Sequence, residues 1–285
     1  MSLKLSAAPL ALLLAAVSTP AFAQDAHNSP AVDLGEVIVT GARNPEDPPV
    51  VAEARRRLSR TPGSVAVVSA ESLENRYAPN IADVLRDVPG VYAQKKWGGD
   101  VRIAIRGSGI GNANHLRGLF VSQDGIPFNE ADGFGDVQMV DPLLARFTEV
   151  YKGGNALRFG GALLGGAVNL VTPNGRTAGE TASLRADFGS WDTGRLHAEL
   201  SGVRGDWDAF IGVTGVTAEG WRQNSDGQQQ YIAANIGRSF GEDREARLIV
   251  QGAYIHQQIP GSLTLTQALN TPVMAAAANV ANDYQ

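Results

Sequence analysis

The spacing of apolar and polar residues changes character near Pro173, and the two halves of the chain predict different architectures. Before it, short β-type runs mix with helical periodicity. Residues 64–68, 101–106, 147–152 and 167–172 read as strands. Residues 80–88 read as a helix, because Ile81, Val84, Leu85 and Val88 fall at i, i+3, i+4 and i+7, and Pro89-Gly90 stops it. Residues 119–128 predict a hairpin around Asp124-Gly125. Asp141-Pro142 supplies an N-cap and a first-turn proline for a one-turn helix ahead of Phe147. Residues 62–173 therefore predict a compact α+β unit.

After Pro173 the period is two. Segments 181–189, 195–203, 207–218, 229–240 and 246–257 each show β-type alternation over about ten residues. In the second, Leu196, Ala198 and Leu200 share one face, while His197, Glu199 and Ser201 share the other. In the fourth, Ile232, Ala234 and Ile236 oppose Ala233, Asn235 and Gly237. Weak alternation at this length suits strands of a transmembrane β-barrel, apolar toward lipid and polar toward the lumen. The alternative is a soluble antiparallel sandwich. Connections 204–206 and 241–245 are short, whereas 220–228 and the stretch after 258 are long. In a barrel the short turns are periplasmic and the long loops extracellular. Trp191, Trp207, Trp221 and Tyr254 fall near segment ends, where an aromatic girdle would place them.

The first residues add an address. Lys4 precedes an apolar run over 7–17, and Ala21-Phe22-Ala23 has the small-x-small form of a cleavage site. Residues 1–23 read as a signal peptide cleaved after Ala23; the alternative is an uncleaved anchor. The run is too short for a comfortable membrane helix. Residues 24–61 read as a mobile leader. Pro45, Pro48 and Pro49 break regular structure there, and a brief helix over 50–60 carries Arg55, Arg56 and Arg57 on a solvated face. Within the leader, Glu36-Val37-Ile38-Val39-Thr40 is an isolated β-forming run, either a stray edge strand or a peptide available for strand addition to a partner's sheet.

Composition narrows the chemistry. Net charge is −5, which argues against a general nucleic-acid binder. The chain has no cysteine, which excludes disulfides and thiolate metal sites. His27, His115, His197 and His256 lie far apart and show no metal-ligand spacing. The richest glycine stretch, 153–166, is not a P-loop, since no lysine follows the later glycines. Gly107-x-Gly109 lacks the third glycine of a dinucleotide fingerprint, because Asn112 stands there. No local motif assembles a catalytic residue set or a metal site.

Four motifs in this order resemble the TonB-dependent outer-membrane receptors over essentially the whole chain. They are EVIVTGA at 36–42, Ile105-Arg106-Gly107, the V-x-x-D-G-I-P of 121–127, and EVYKGGNALRFGGALLGGAVNLVTP at 149–173. GWRQNS at 220–225 and IPGSLT at 259–264 look most like ferric-citrate-type members. The resemblance implies a plug domain over 62–173, followed over 174–285 by the first strands of an antiparallel barrel that the family closes with 22 strands. Residues 174–285 hold about five strands, so the expectation is a truncated product or a fragment. The short leader implies no added signalling domain ahead of the box. The implied function is active import of ferric citrate or another siderophore across the outer membrane, with no cofactor and no enzymatic step. The implied partners are the ferric chelate, outer-membrane lipid, and TonB with its inner-membrane energising proteins.

Residue roles follow from the same resemblance. Glu36, Val37, Ile38, Val39 and Thr40 form the TonB box. Arg106 and Lys152 match plug positions that pair with barrel-wall carboxylates; the alternative is a solvated charge. The family usually carries arginine at the second of these positions, and lysine loses the bidentate fork. Trp97, Asn112, Asn114, His115 and Asp132 fall in loops that would face the ligand, or are ordinary loop chemistry. Two other classes stay open from the residues alone: a passive porin or adhesin, and an exported β-rich enzyme.

Overall fold

The computed structural model describes residues 47–281, apart from 110–115, 117, 162 and 242–243. The first element is α1 (Pro49–Ser59), followed by β1 (Val65–Ser69), α2 (Ile81–Leu85), β2 (Val91–Lys95), β3 (Val101–Ile105), β4 (Leu119–Gln123), β5 (Ile126–Pro127), β6 (Phe147–Lys152) and β7 (Gly166–Val171). Five of these strands form a sheet in the order β1-β6-β7-β4-β5, and β2 pairs with β3 as a separate hairpin. Only the β4–β7 pairing in the five-stranded sheet is parallel.

Both faces of this sheet are covered, so its central strands lose the alternation that a half-exposed strand keeps. All six residues of β6 are buried. On one face Val150, Val168, Leu119 and Val121 pack with Ile81 and Leu85 of α2 and with Ile103 and Ile105 of β3. On the other, Phe147, Tyr151 and Ala167 pack with Val51, Ala54 and Leu58 of α1.

This second layer corrects the sequence expectation for 24–61. The end of the expected leader is not mobile chain: α1 belongs to the core, with Val51 fully buried and Leu58 2% exposed. Val51, Ala52, Ala54 and Leu58 are enough to seat it, and Pro49 in its first turn preorganises the backbone. The arginine run is not wholly solvated either, because Arg57 reaches across to the buried Glu149.

The local turn chemistry behaves as expected. Asp124 (φ +53) and Gly125 (φ +80) form the tight β4–β5 turn. Asn80 caps α2 by accepting from Ala82 N–H, and Asp141 caps the 3₁₀ turn Pro142–Leu144 by accepting from Leu143 N–H. The glycine-rich stretch is partly regular, with a 3₁₀ helix over Gly153–Phe159. Gly166 is needed for space: a Cβ there would lie 2.3 Å from Tyr151 O and 2.9 Å from Ile105 Cδ1.

The remaining strands are β8 (Ala182–Gly189), β9 (Thr193–Arg204), β10 (Trp207–Ala218), β11 (Gly227–Ser239) and β12 (Glu245–Gln257). They form one antiparallel meander in sequence order. The long connection after β12 carries α3 (Leu265–Asn270) and α4 (Ala277–Ala281). Alternation is inside out by the standard of a soluble protein. Leu184, Leu196, Leu200, Ile211, Ile232, Ile236 and Leu248 are exposed on one face, while Arg195, His197, Asp208, Thr214 and Asn235 are buried on the other. A soluble sandwich buries the apolar face; this sheet buries the polar one, as a membrane barrel does.

A cavity test separates a packed α1 from a mobile one. Leu58→Ala should lower the stability of the N-terminal unit by about 2–4 kcal/mol, whereas Arg56→Ala on the exposed face should stay within about 0.5 kcal/mol. Urea unfolding of the two variants reads the difference; equal midpoints would return α1 to the leader.

Candidate functional site at the seam between the two sheets

The buried polar face of β8–β12 is covered by the N-terminal unit, and the contacts between them are specific. Arg195 on β9 is the central one. Its guanidinium donates to Ala78 O at 2.8 Å and forms an ion pair with Asp141, and the two side chains are 1% and 0% exposed. The ring of Tyr77 lies 6.0 Å from the guanidinium carbon. Burial raises the Tyr77 phenol above its ordinary value, although the Arg195 charge opposes this. Asp141 also caps its own 3₁₀ turn, so one carboxylate fixes a local turn and a long-range contact together. Among the described residues, Arg195–Asp141 is the ion pair that joins residues 62–173 to the β8–β12 sheet.

Neighbouring contacts reinforce it. Arg185 on β8 donates to Leu73 O at 3.3 Å and Arg76 O at 2.9 Å, and is itself held by Asp187. Two arginines of adjacent strands thus capture three carbonyls of the turn at 73–78. Tyr231 on β11 donates to Gln138 O at 3.0 Å, and its ring packs with Leu144 and Ala233. Gln251 on β12 donates to Gln123 O at 3.4 Å and to Asp124 Oδ2 at 3.3 Å. Burial pushes the Asp124 carboxyl up, against hydrogen bonds from Thr172 and Gln251 that favour its ionised form. The segment after Pro173 is pinned as well: Asp208 on β10 accepts from Gly175 N–H and pairs with Arg176 and Arg247.

Residues 57–167 match the family model of the TonB-dependent receptor plug domain. Over that stretch the chain carries a TonB-dependent receptor plug domain. It is 27% identical over 252 residues to the ferrienterobactin receptor of Escherichia coli K12, covering 75% of this chain and 32% of that protein. It is 30% identical over 164 residues to the iron-regulated outer membrane virulence protein of Vibrio cholerae, covering 54% and 22%. In fold it resembles the unliganded ferric citrate transporter FecA, with a TM-score of 0.65 at 19% identity over 78% of this chain and 35% of that one. The siderophore receptor PirA from Acinetobacter baumannii gives 0.56 at 18% identity, over 78% and 36%. The matched region spans about a fifth to a third of the length of these proteins.

The two layers are therefore a plug and part of a barrel wall, and the seam is where the plug is seated. Arg106 and Lys152, expected to pair with wall carboxylates, lie together on the plug. Lys152 is buried and donates to Pro89 O at 2.6 Å. Burial first, and the Arg106 charge second, hold its ammonium below the ordinary lysine value. Arg106 is exposed, with φ +53. Among the described residues no carboxylate pairs with either cation.

Of the loop candidates, Trp97 is half-buried in the β2–β3 turn, with Lys96 Nζ 5.1 Å from its ring centroid. That turn meets the wall, since Gly98 lies against the side chain of Gln257. Asp132 is exposed and accepts from Phe134 N–H at 2.9 Å. Glu36 to Thr40, Asn112, Asn114 and His115 lie outside the described residues. No group of three metal-ligating side chains forms among the described residues.

Sequence reasoning missed Arg185, Arg195, Tyr231 and Gln251, and saw Asp141 only as a helix cap. A signal was present: Arg185, Asp187, Arg195, Glu199, Asp208 and Arg247 all occupy the inward positions of the alternation. Sequence reasoning also missed Glu149, whose buried carboxylate accepts from Arg57, from Tyr151 Oη at 2.9 Å and from Asn169 at 3.4 Å. Burial, with the Glu149 charge adding to it, pushes the Tyr151 phenol up to about 12.

Two outcomes follow. Arg195→Met leaves Asp141 buried without its partner, and should weaken plug seating by about 3–5 kcal/mol, read as an earlier urea midpoint for the plug in the full-length receptor. Asp124 carries a raised value in the folded state, so its stabilising contribution is full below the unfolded-state value near pH 4 and fades as pH rises through the folded one. Asp124→Asn should flatten plug stability as pH rises above about 4; an unchanged pH profile would show that Asp124 is not its source.

Proposed function

We propose that the protein to which this chain belongs imports a ferric chelate across the bacterial outer membrane by TonB-dependent active transport. The observation that carries this reading is a plug domain seated against the polar inner face of a strand sheet whose outer face is apolar. Three of the named relatives are by name a ferrienterobactin receptor, a ferric citrate transporter and a siderophore receptor, which supports iron as the cargo, held by its chelator.

The chemistry of the path is recognition and movement. The chelate enters from the end of the long loops 220–228 and 258–281, where Trp97, Asn112, Asn114, His115 and Asp132 are the plug residues proposed to meet it. Trp97 offers an aromatic face, which suits a chelate with planar donor groups. Glu36, Val37, Ile38, Val39 and Thr40 add as a strand to the carboxy-terminal domain of TonB. Main-chain pairing gives that contact affinity with little demand on side chains. Inner-membrane proton-motive force then acts on the plug through α1, the first described element after the box. Arg106 and Lys152 are proposed to meet carboxylates of wall strands, which would resolve two neighbouring positive charges, one of them buried.

Whole-cell uptake tests the reading. Cells expressing the full-length receptor should accumulate radiolabelled iron from ferric enterobactin or ferric citrate. Deleting residues 36–40 should abolish accumulation while surface binding of the chelate stays intact. Accumulation unchanged by that deletion would point to a passive pore instead.

A further inference from the structure

The outer face of the wall carries a feature that the transport reading does not use. At the short-turn end of the strands, Arg204, Trp207 and Arg238 stand directly opposite one another across β9, β10 and β11. Cross-strand partners share a face, so this row points outward with the apolar residues above it. The Arg238 guanidinium carbon lies 5.2 Å from the Trp207 ring centroid and 4.8 Å from that of Phe240. Stacked this way, the guanidinium is held in place while its N–H edge stays available. Among the described residues, neither Arg204 nor Arg238 makes an ion pair, including with Asp206 of the intervening turn.

The next row up is Gly202, Ala209 and Ile236, and the one above it Leu200, Ile211 and Ala234. The small side chains of Gly202 and Ala209 leave a trough between larger neighbours. A groove of about 480 Å³ occupies this position, lined by Leu200, Gly202, Arg204, Trp207, Ile211 and Ile236 among others. Its volume and apolar walls suit a hydrocarbon chain, and its rim is positive. The row lies at the end joined by short turns, which the transport reading places at the periplasm.

We propose that this groove is a binding site for a glycerophospholipid of the inner leaflet. Arg204 and Arg238 hold the phosphate, Trp207 lies at the headgroup boundary, and one acyl chain fills the trough over Gly202 and Ala209. Charge complementarity selects the occupant. Two cations at the boundary between headgroup and hydrocarbon need an anion at that depth, and the phosphate ester is the anion every glycerophospholipid supplies there. The site rests on the reading that β8–β12 cross the outer membrane with their short turns at the periplasm.

Native mass spectrometry of the full-length receptor, released from membranes in mild detergent, tests it. Phosphatidylglycerol and a diacylglycerol with the same chains are added in equal amounts. The expected result is retention of one phosphatidylglycerol in preference to diacylglycerol. Arg204→Gln with Arg238→Gln should reduce that preference by on the order of tenfold, while Arg60→Gln, at an exposed arginine of the plug, should leave it unchanged. Equal retention of the two lipids, or a preference that survives the double substitution, overturns the lipid site. Recovery of the receptor in the outer-membrane fraction is scored separately. Absence from that fraction would overturn the membrane reading, whereas normal insertion with unselective retention would overturn the lipid site alone.

Discussion

A sheet whose apolar face meets hydrocarbon has to turn its polar residues inward, and inward polar residues need partners. That constraint organises this molecule. Arg195, His197, Asp208 and Asn235 are buried on the inner face of the wall. In a wider pore they would be met by water; here the plug or neighbouring strands meet many of them. Arg195 finds Asp141, Ala78 O and the face of Tyr77, while Asp208 finds Arg176 and Arg247. Desolvating a guanidinium is costly unless its donors and charge are matched, so the position of the plug is set by polar matching as much as by apolar contact. The apolar contribution at the seam is small by comparison, centred on Leu144 against Tyr231 and Ala233.

The plug itself follows a different rule. Its central strands are buried on both faces, and it uses two apolar layers, one under α2 and one under α1. The second layer encloses a polar group, Glu149, which Arg57 of α1 neutralises. Lifting α1 would leave that carboxylate without its cation, so the helix nearest the leader is also the one whose removal exposes a buried charge. On the opposite face of β6, Lys152 is buried beside Arg106, with no carboxylate among the described residues to balance them. The plug thus carries a neutralised buried charge toward the leader and an unbalanced positive one elsewhere.

Much of the fold is legible in the sequence. The five wall segments read from dyad alternation fall on β8 to β12 within a few residues, because lipid on one side and polar packing on the other preserve the alternation. The β4–β5 turn, the cap of α2 and the 3₁₀ turn after Asp141 were legible because each depends on residues within a few positions of one another. The α1 layer was misjudged because prolines and arginines mask a short apolar stripe over Val51, Ala52, Ala54 and Leu58. Strand β2 was missed for a related reason. Its residues are intermediate or exposed, as befits an edge hairpin, and they carry little period.

The candidate site was the least legible part. Asp141 and Arg195 are 54 residues apart, and Arg57 and Glu149 are 92 apart. Sequence alone determined which residues would face lipid, which would turn, and which motifs name the family, because those properties follow from periods of two and 3.6 and from short-range backbone preference. Only tertiary structure decided which inward arginine meets which plug carbonyl or carboxylate. That choice depends on how the plug docks against the wall, and a buried charge constrains its partner's position in space while leaving its position along the chain free.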